Sequence, residues 1–147
     1  MEGSQDISVF NDIKITGGCH CQSVRFEALA PQKVEVYKCN CSICLMKQNH
    51  HFVVQHDKFT LISGEDSLQK YTFNTKKAVH LFCKNCGICS FYQPRSNPDC
   101  YAITIYCVDG WNQGVFPGGI EWKTFDGQNW ENEILTNEIT KFSKTEE

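Results

Sequence analysis

Seven of the ten cysteines in this 147-residue chain fall into three tight clusters. The clusters are Cys19-His20-Cys21, Cys39-Asn40-Cys41-Ser42-Ile43-Cys44 and Cys83-Lys84-Asn85-Cys86-Gly87. Cysteine pairs at this spacing are typical of zinc sites. Four thiolates close a tetrahedral structural site, whereas three leave one coordination position open, as a catalytic zinc requires. Seven ligands therefore divide most naturally into four and three. This count indicates a catalytic zinc site as well as a structural one.

The size and composition of the chain are those of one globular domain. Hydrophobic residues make up 41% and charged residues 21%, and no apolar run approaches the roughly 20 residues that span a bilayer. The start, residues 1–6, lacks the basic and apolar regions of a secretory signal. We therefore expect a cytoplasmic or nuclear location and no membrane partner, in a reducing compartment where cysteines stay as thiols or bind metal.

Two alternatives to a zinc protein with small-molecule chemistry have less support. Ten cysteines in a secreted chain could form five disulfides, but the paired spacings converge better on one ion, and no export signal supports oxidation. A net charge of -3 and a pI near 5.9 give no basic surface for a polyanion, so nucleic acid is not an expected partner. The sequence does not indicate an oligomeric state.

Apolar residues alternate in several short segments, and turn residues such as Ser63-Gly64 separate them. This alternation predicts half-buried strands and a mainly β chain with short loops. We expect one zinc-binding domain over residues 13–130, an N-terminal tail over 1–12 and a C-terminal tail over 131–147, weakly helical from about Trp130 to Phe142. The predicted strands contain Ile13–Ile15, Val24–Phe26, Val34–Tyr37, Phe52–Val54, Phe59–Ile62, Tyr71–Phe73, Val79–Phe82, Ser90–Tyr92 and Ile103–Tyr106.

The spacing also suggests which clusters share an ion. The cysteines of the middle cluster lie within six residues and can form a three-thiolate face by themselves. The two remaining pairs would then close a four-thiolate site across the fold and act as a structural staple. A zinc ion on three cysteines could accept water, an aldehyde oxygen or a further thiolate at its fourth position. Such an ion could therefore assist the making and breaking of C–S bonds. Alternatively, His50, His51 or Cys89 could close this site as a fourth ligand.

The three clusters, with Gly17-Gly18 before the first and Phe82 before the third, resemble the glutathione-dependent formaldehyde-activating enzyme family over roughly residues 14–125. Three further segments resemble the domain of animal centromere protein V: Lys47-Gln48-Asn49, Tyr71-Thr72-Phe73-Asn74-Thr75 and residues 90–98. The resemblance implies a single-domain, zinc-stapled β-tent of the Mss4-like class. It implies a structural Zn²⁺ on Cys19, Cys21, Cys83 and Cys86, and a reactive Zn²⁺ on Cys39, Cys41 and Cys44.

Several further residues are candidates for the site. His51 could shuttle protons or line the zinc pocket, whereas His50 would face the other side of the same strand. A glutathione carboxylate would need a cation, for which Lys47, Arg95 and Arg25 are candidates. Arg95 is favoured because it lies in a loop between two prolines, and binding residues tend to collect in such loops. Residues expected to be structural or exposed, without a ligand role, are His20, His56, His80, Cys89, Cys100 and Cys107.

The leading hypothesis is a zinc-dependent carbon–sulfur lyase acting on adducts of glutathione or another thiol with formaldehyde or another aldehyde, as in S-hydroxymethylglutathione synthesis. In it, the Cys39/Cys41/Cys44 zinc holds the thiolate or polarises the adduct oxygen, and His51 assists with the proton. One alternative is a non-catalytic zinc module for protein interaction or for chromatin or centromere association. Another is a thiol reductase, whose nucleophile would have to be Cys89, Cys100 or Cys107.

Overall fold

The structure, a computed structural model, describes residues 12–143. The predicted N-terminal tail therefore falls outside the described residues except for Asp12, as do residues 144–147 of the predicted C-terminal tail. Within the described range, no helix has both the length and the apolar character needed to cross a membrane.

Residues 12–143 form ten β-strands and two short α-helices, which confirms the predicted mainly β single domain. Five 3₁₀ turns also occur in this range, at His56–Lys58, Glu65–Ser67, Ile105–Cys107, Gly127–Asn129 and Glu138–Phe142. The strands and helices are β1 Ile13–Gly18, β2 Arg25–Ala30, β3 Lys33–Cys39, α1 Ser42–Lys47, β4 His50–Gln55, β5 Phe59–Ser63, β6 Leu68–Tyr71, β7 Val79–Cys83, β8 Phe91–Gln93, β9 Cys100–Thr104, β10 Gly119–Phe125 and α2 Trp130–Thr136.

The strands build two sheets. The smaller is antiparallel, in the order β1-β2-β5, and the larger has the order β10-β3-β4-β9-β8-β7-β6. All pairs in the larger sheet are antiparallel except β10 with β3. The order places the end of β3, the start of β4, and strands β7 and β8 close enough for their side chains to share one site.

The main core lies between the two sheets and follows from the alternation of apolar residues. Phe26 on β2 is buried and stacks on Phe59 at a centroid distance of 5.3 Å, and it meets Phe91 edge-on at 6.1 Å. Val34 and Val36 alternate into the interior along β3, as period-two packing requires. Aromatic burial of this kind supplies much of the stability of a small β domain.

Some strand boundaries differ from the predicted ones because tertiary contacts prevail over local pattern. Phe73 leaves the sheet and stacks on His80, and the left-handed backbone of Asn74, with φ of 57°, turns the chain there. Ile105 is buried in a 3₁₀ turn that follows β9. Strand β10 was not among the predicted strands; it forms by parallel pairing with β3, which local alternation does not reveal.

The described part of the C-terminal segment packs on the larger sheet. Ile139 is buried in a second core with Tyr37 and Phe125. Glu35 of β3 forms ion pairs with Lys123, on β10, and with Lys141. This packing brings Trp130, at the start of α2, to the edge of the cavity described below.

Candidate metal centre and adjoining cavity

Four cysteines from distant parts of the chain converge at one end of the fold. Cys19 and Cys21 lie in the turn between β1 and β2, Cys83 ends β7, and Cys86 follows in the next turn. Their four sulfurs lie within 4.8 Å of one another, and Cys21 Sγ is 3.6 Å from both Cys19 Sγ and Cys83 Sγ. This is the donor set of a structural tetrahedral zinc.

Backbone amides around this cluster point at the sulfurs. The N–H of Val24 donates to Cys19 Sγ at 3.3 Å, and the N–H of Asn85 donates to Cys83 Sγ at the same distance. Gly87, with φ of 80°, allows the tight turn after Cys86. Such N–H···S contacts stabilise thiolates and fix their directions, so the geometry fits a bound cation.

The second cluster forms where β3 runs into α1. Cys39 ends β3, Cys41 precedes the first helical residue, and Cys44 lies buried in the helix. The three sulfurs lie within 4.8 Å of one another, and no further His, Cys, Asp or Glu of residues 12–143 belongs to this group. The geometry thus gives no support to His50, His51 or Cys89 as a fourth ligand.

The crowding of these three thiols has an electrostatic consequence. Hydrogen bonds with Cys39 and Cys44 lower the pKa of Cys41 to about 2. The same contact with Cys41 raises the pKa of Cys39 to about 11, and contacts with Cys39 and Cys41 raise that of Cys44 far above its usual range. Contact between the three thiols therefore opposes their ionising all at once. Full ionisation requires a positive ion at the centre, and the soft sulfur donors suit Zn²⁺.

The turn after β10 closes over this cluster at Gly127. A Cβ at that position would lie 2.6 Å from Cys41 Cβ and 2.7 Å from Cys39 Sγ, so glycine is required by space. Asn40 fixes the turn, because its Nδ2 donates to Asp126 Oδ1 at 3.0 Å and its Oδ1 accepts from the N–H of Gln128 at 3.0 Å. Asn40, between two of the cysteines, thus positions the turn that covers them.

The three-cysteine cluster lies in the wall of a cavity of about 390 Å³. The cavity collects residues from the start of α1, β4, β7, β8 and the turns after β6, β8 and β10. Besides the three cysteines, its lining includes His51, Phe73, His80, Tyr92, Arg95, Phe125, Gly127 and Trp130. A three-cysteine face in the wall of a concave, largely apolar cavity is the usual arrangement of a small-molecule site.

Tyr92 links the cluster to His51. Its hydroxyl lies 3.7 Å from Cys44 Sγ and 3.4 Å from His51 Nε2, and both Tyr92 and His51 are buried. Burial lowers the pKa of His51 to about 4, so the imidazole is neutral at pH 7. A hydrogen bond with the backbone of Asn49 partly offsets this shift, although Nδ1 has no partner at full hydrogen-bonding geometry among the described residues. His51 lines the cavity and is therefore placed to exchange a proton with a bound molecule.

Next to Tyr92, three rings form a continuous stack along the cavity. His80 lies nearly parallel to Tyr92 at 4.7 Å, with an interplanar angle of 13°, and Phe73 stacks on His80 at 5.9 Å. Burial lowers the pKa of His80 to about 4. Lys47, on the exposed side of α1, donates to His80 Nδ1 at 3.4 Å and does not belong to the cavity lining.

Arg95 supplies the positive charge of the cavity. Its guanidinium lies 3.6 Å from the ring centroid of Trp130, and its Nη2 pairs with Glu131 at 2.9 Å. Arg95 Nε is buried and makes no hydrogen bond to the described residues. A planar cation held on an aromatic face, with a donor unused, suits a carboxylate ligand.

The structure brings together some of the predicted residues and separates others. His51 and Arg95 line the cavity with the three cysteines, whereas His50 faces away and contacts Tyr106. Arg25 pairs with Asp109 on another surface. The remaining cysteines lie outside both clusters: Cys89 and Cys100 are buried, and burial raises the pKa values of Cys100 and Cys107 to about 12. Unactivated thiols of this kind do not favour the reductase hypothesis.

Sequence analysis missed four residues of the site: Phe73, His80, Tyr92 and Gly127. His80 carried no motif, and its role depends on the register that pairs it with Tyr92 across β7 and β8. A usable signal was the alternation that places His80 and Phe82 on one face of β7. Gly127 gave no signal, because its contact with the cysteines spans more than eighty residues.

The site can now be compared with known proteins. The sequence profile of the glutathione-dependent formaldehyde-activating enzyme family matches residues 14–122, most of the chain. The chain belongs to this family. The crystal structure of a Rhodobacter sphaeroides protein is similar, with 28% sequence identity, a TM-score of 0.61, and coverage of 73% of this chain and 98% of that chain. Membership of the family confirms the Mss4-like β-tent that the resemblance predicted, with two cysteine clusters that could hold zinc.

Proposed function

We propose that this protein is a zinc-dependent carbon–sulfur lyase acting on adducts between a thiol, glutathione in the first instance, and formaldehyde or another small aldehyde. The family supports a glutathione- and formaldehyde-related activity. The observation that carries the finer proposal is the three-cysteine cluster, which has no fourth ligand among the described residues and lines a cavity of about 390 Å³. A site saturated by protein ligands would have no room for substrate.

The two clusters have different proposed tasks. Cys19, Cys21, Cys83 and Cys86 hold a structural ion that joins the β1–β2 turn to the end of β7. Cys39, Cys41 and Cys44 hold the reactive ion. When bound there, zinc would supply a positive centre that favours the thiolate form of the substrate or polarises its oxygen.

The reaction is a reversible addition. The thiol sulfur forms a bond to the aldehyde carbon, and the proton leaving the sulfur ends on the aldehyde oxygen; cleavage reverses both steps. His51 is the proposed carrier of this proton, because it lines the cavity beside the three cysteines and is neutral at pH 7. Tyr92 orients the ring through Nε2. Arg95 is the proposed anchor for a glutathione carboxylate, and Lys47 remains a predicted contact at the exposed side of α1.

The test is the rate of exchange between free glutathione, formaldehyde and their adduct, measured by NMR exchange spectroscopy on zinc-loaded protein with the bound zinc counted. We expect the protein to accelerate exchange over buffer and Cys41→Ser to abolish this while one zinc stays bound. Cys107→Ser is the matched control, since this thiol lies outside both clusters, and it should leave the rate unchanged.

Two outcomes would contradict the proposal. No acceleration by protein carrying two zinc ions would exclude this lyase activity and favour a non-catalytic zinc module for protein interaction. Acceleration that persists in Cys41→Ser would place the chemistry outside the three-cysteine cluster.

A further inference from the structure

We infer that the cavity selects adducts whose aldehyde part is a larger apolar or aromatic group, rather than the single carbon of formaldehyde. This inference rests on the proposed function, because it takes the adduct sulfur to lie at the three-cysteine cluster. It adds a substrate class to that function: S-substituted carboxylate-bearing thiols with an aromatic or extended apolar substituent.

The first support is a stack of aromatic rings that begins beside the three-cysteine cluster. Tyr92 is within 3.7 Å of Cys44 Sγ, His80 lies on Tyr92, and Phe73 lies on His80. All three rings line the cavity, so they form one aromatic wall that begins beside the cluster. A substituent that begins at the adduct carbon and extends along this wall would meet ring edges, a favourable geometry for a further ring.

The second support is the chemistry of the remaining lining. Phe125 and Trp130 add apolar surface, and no Asp or Glu of the described residues lines the cavity. Arg95 is its charged group, since burial keeps His51 and His80 neutral at pH 7. The interior thus matches a molecule with a carboxylate and a large apolar part.

The third support is size. The cavity of about 390 Å³ is within the range of sites for drug-sized ligands. An aryl group on the adduct carbon would cover the wall of Phe73 and His80, whereas a hydroxymethyl group is too small to cover it. Because each apolar carbon removed from water tightens binding about fourfold, an aryl substituent that covers this wall should bind far better than a methyl group.

The test uses stable thioethers, so that it measures binding without turnover. S-methylglutathione and S-benzylglutathione are titrated into zinc-loaded protein by isothermal calorimetry. We expect S-benzylglutathione to bind at least tenfold more tightly. Phe73→Ala should remove most of this preference by weakening S-benzylglutathione far more than S-methylglutathione. Tyr71→Ala is the matched control, because Tyr71 stacks on Phe73 but does not line the cavity.

A second variant keeps the test independent of the folding of Phe73→Ala. Ala78 lines the cavity, and Ala78→Leu should weaken S-benzylglutathione more than S-methylglutathione by filling space. Equal or weaker binding of S-benzylglutathione, with S-methylglutathione still bound, would overturn this inference and leave the proposed function intact. Binding of neither thioether, together with no acceleration of adduct exchange, would overturn the proposed function as well.

Discussion

A Cβ at Gly127 would lie 2.7 Å from the sulfur of Cys39. Cys39 ends β3, whereas Gly127 lies in the turn after β10, far away in sequence. A contact below 3 Å to a metal-ligand sulfur forces the turn or the thiol to move. The turn after β10 therefore helps to set the geometry of the three-cysteine cluster, and this relationship leads to the first prediction.

Gly127→Ala should weaken metal binding at the three-cysteine cluster by roughly ten- to a hundredfold, the range typical of disturbed supporting contacts. The four-cysteine cluster should keep its ion, because Gly127 does not touch it. Zinc stoichiometry and competition with a chromophoric chelator measure both sites. Gln128→Ala serves as the control, since the contact of Gln128 with Asn40 uses only the backbone N–H. Equal zinc affinity in Gly127→Ala and the parent chain would show that the turn does not shape the cluster.

Tyr92→Phe should lower metal affinity at the same cluster by about tenfold and slow adduct exchange. The change removes the hydroxyl between Cys44 and His51 but keeps the ring that stacks on His80. Cobalt substitution supplies a readout independent of activity, because the sulfur-to-cobalt charge-transfer band should shift. Tyr101→Phe, in the main core, should change neither the band nor the affinity. An unaltered band in Tyr92→Phe would contradict the proposed hydrogen bond to Cys44.

Cys86→Ser should destabilise the fold through loss of the structural ion, with a fall in Tm of more than about 10 °C. Cys107→Ser is matched to it, since both residues are half-buried and Cys107 lies outside the clusters. Thermal unfolding followed by circular dichroism, before and after chelation, measures the effect. Chelation should lower the Tm of the parent chain to nearly that of Cys86→Ser. If Cys86→Ser melts with the parent, the four-cysteine cluster does not act as a staple.

The division of the seven cysteines could be predicted from the sequence because it depends on short spacings. Cys39, Cys41 and Cys44 are close in sequence, so a strand end followed by one helical turn is enough to bring their sulfurs together. Alternation likewise located most strands, since one face of each packs against the core.

The wall of the cavity could not be predicted in this way. His80 and Tyr92 stack because β7 and β8 pair in one particular register, and Gly127 reaches the cysteines because β10 pairs in parallel with β3. Strand order and register depend on the whole core, and no local pattern in the sequence specifies them. The candidate metal-binding cysteines could therefore be identified from the sequence. The residues that line the cavity around them could be identified only from the structure.

Burial of His80 predicts a pH-dependent stability. Its folded pKa of about 4 lies below the usual 6.5, so the unfolded chain binds the proton more readily. The contribution of this histidine is complete above pH 6.5 and is lost as pH falls toward 4, by about 1.4 kcal/mol at pH 5.5. His80→Gln should therefore show a smaller loss of unfolding free energy between pH 7.5 and 5.5 than the parent chain, in urea titrations at both pH values.

The half-exposed His56 provides the comparison, because its Nε2 bonds to the carbonyl of Cys100 away from the cavity. His56→Gln is measured in parallel as a histidine substitution outside the cavity, and any effect of acid on the zinc thiolates is common to all three proteins. Identical pH dependence in His80→Gln and the parent would show that His80 takes up its proton as easily in the folded state.

If Arg95 binds a substrate carboxylate as proposed, Glu131 must compete with that carboxylate for the guanidinium. Glu131 is largely exposed and pairs with Arg95 Nη2 at 2.9 Å, so the pair is weak enough to exchange. Glu131→Gln should tighten S-methylglutathione binding about three- to fivefold by freeing the guanidinium, whereas Arg95→Met should weaken it. Calorimetry with the diethyl ester of the same thioether is the control, because both variants should then match the parent. Weaker binding in Glu131→Gln would mean that the ion pair holds Arg95 in place for the ligand.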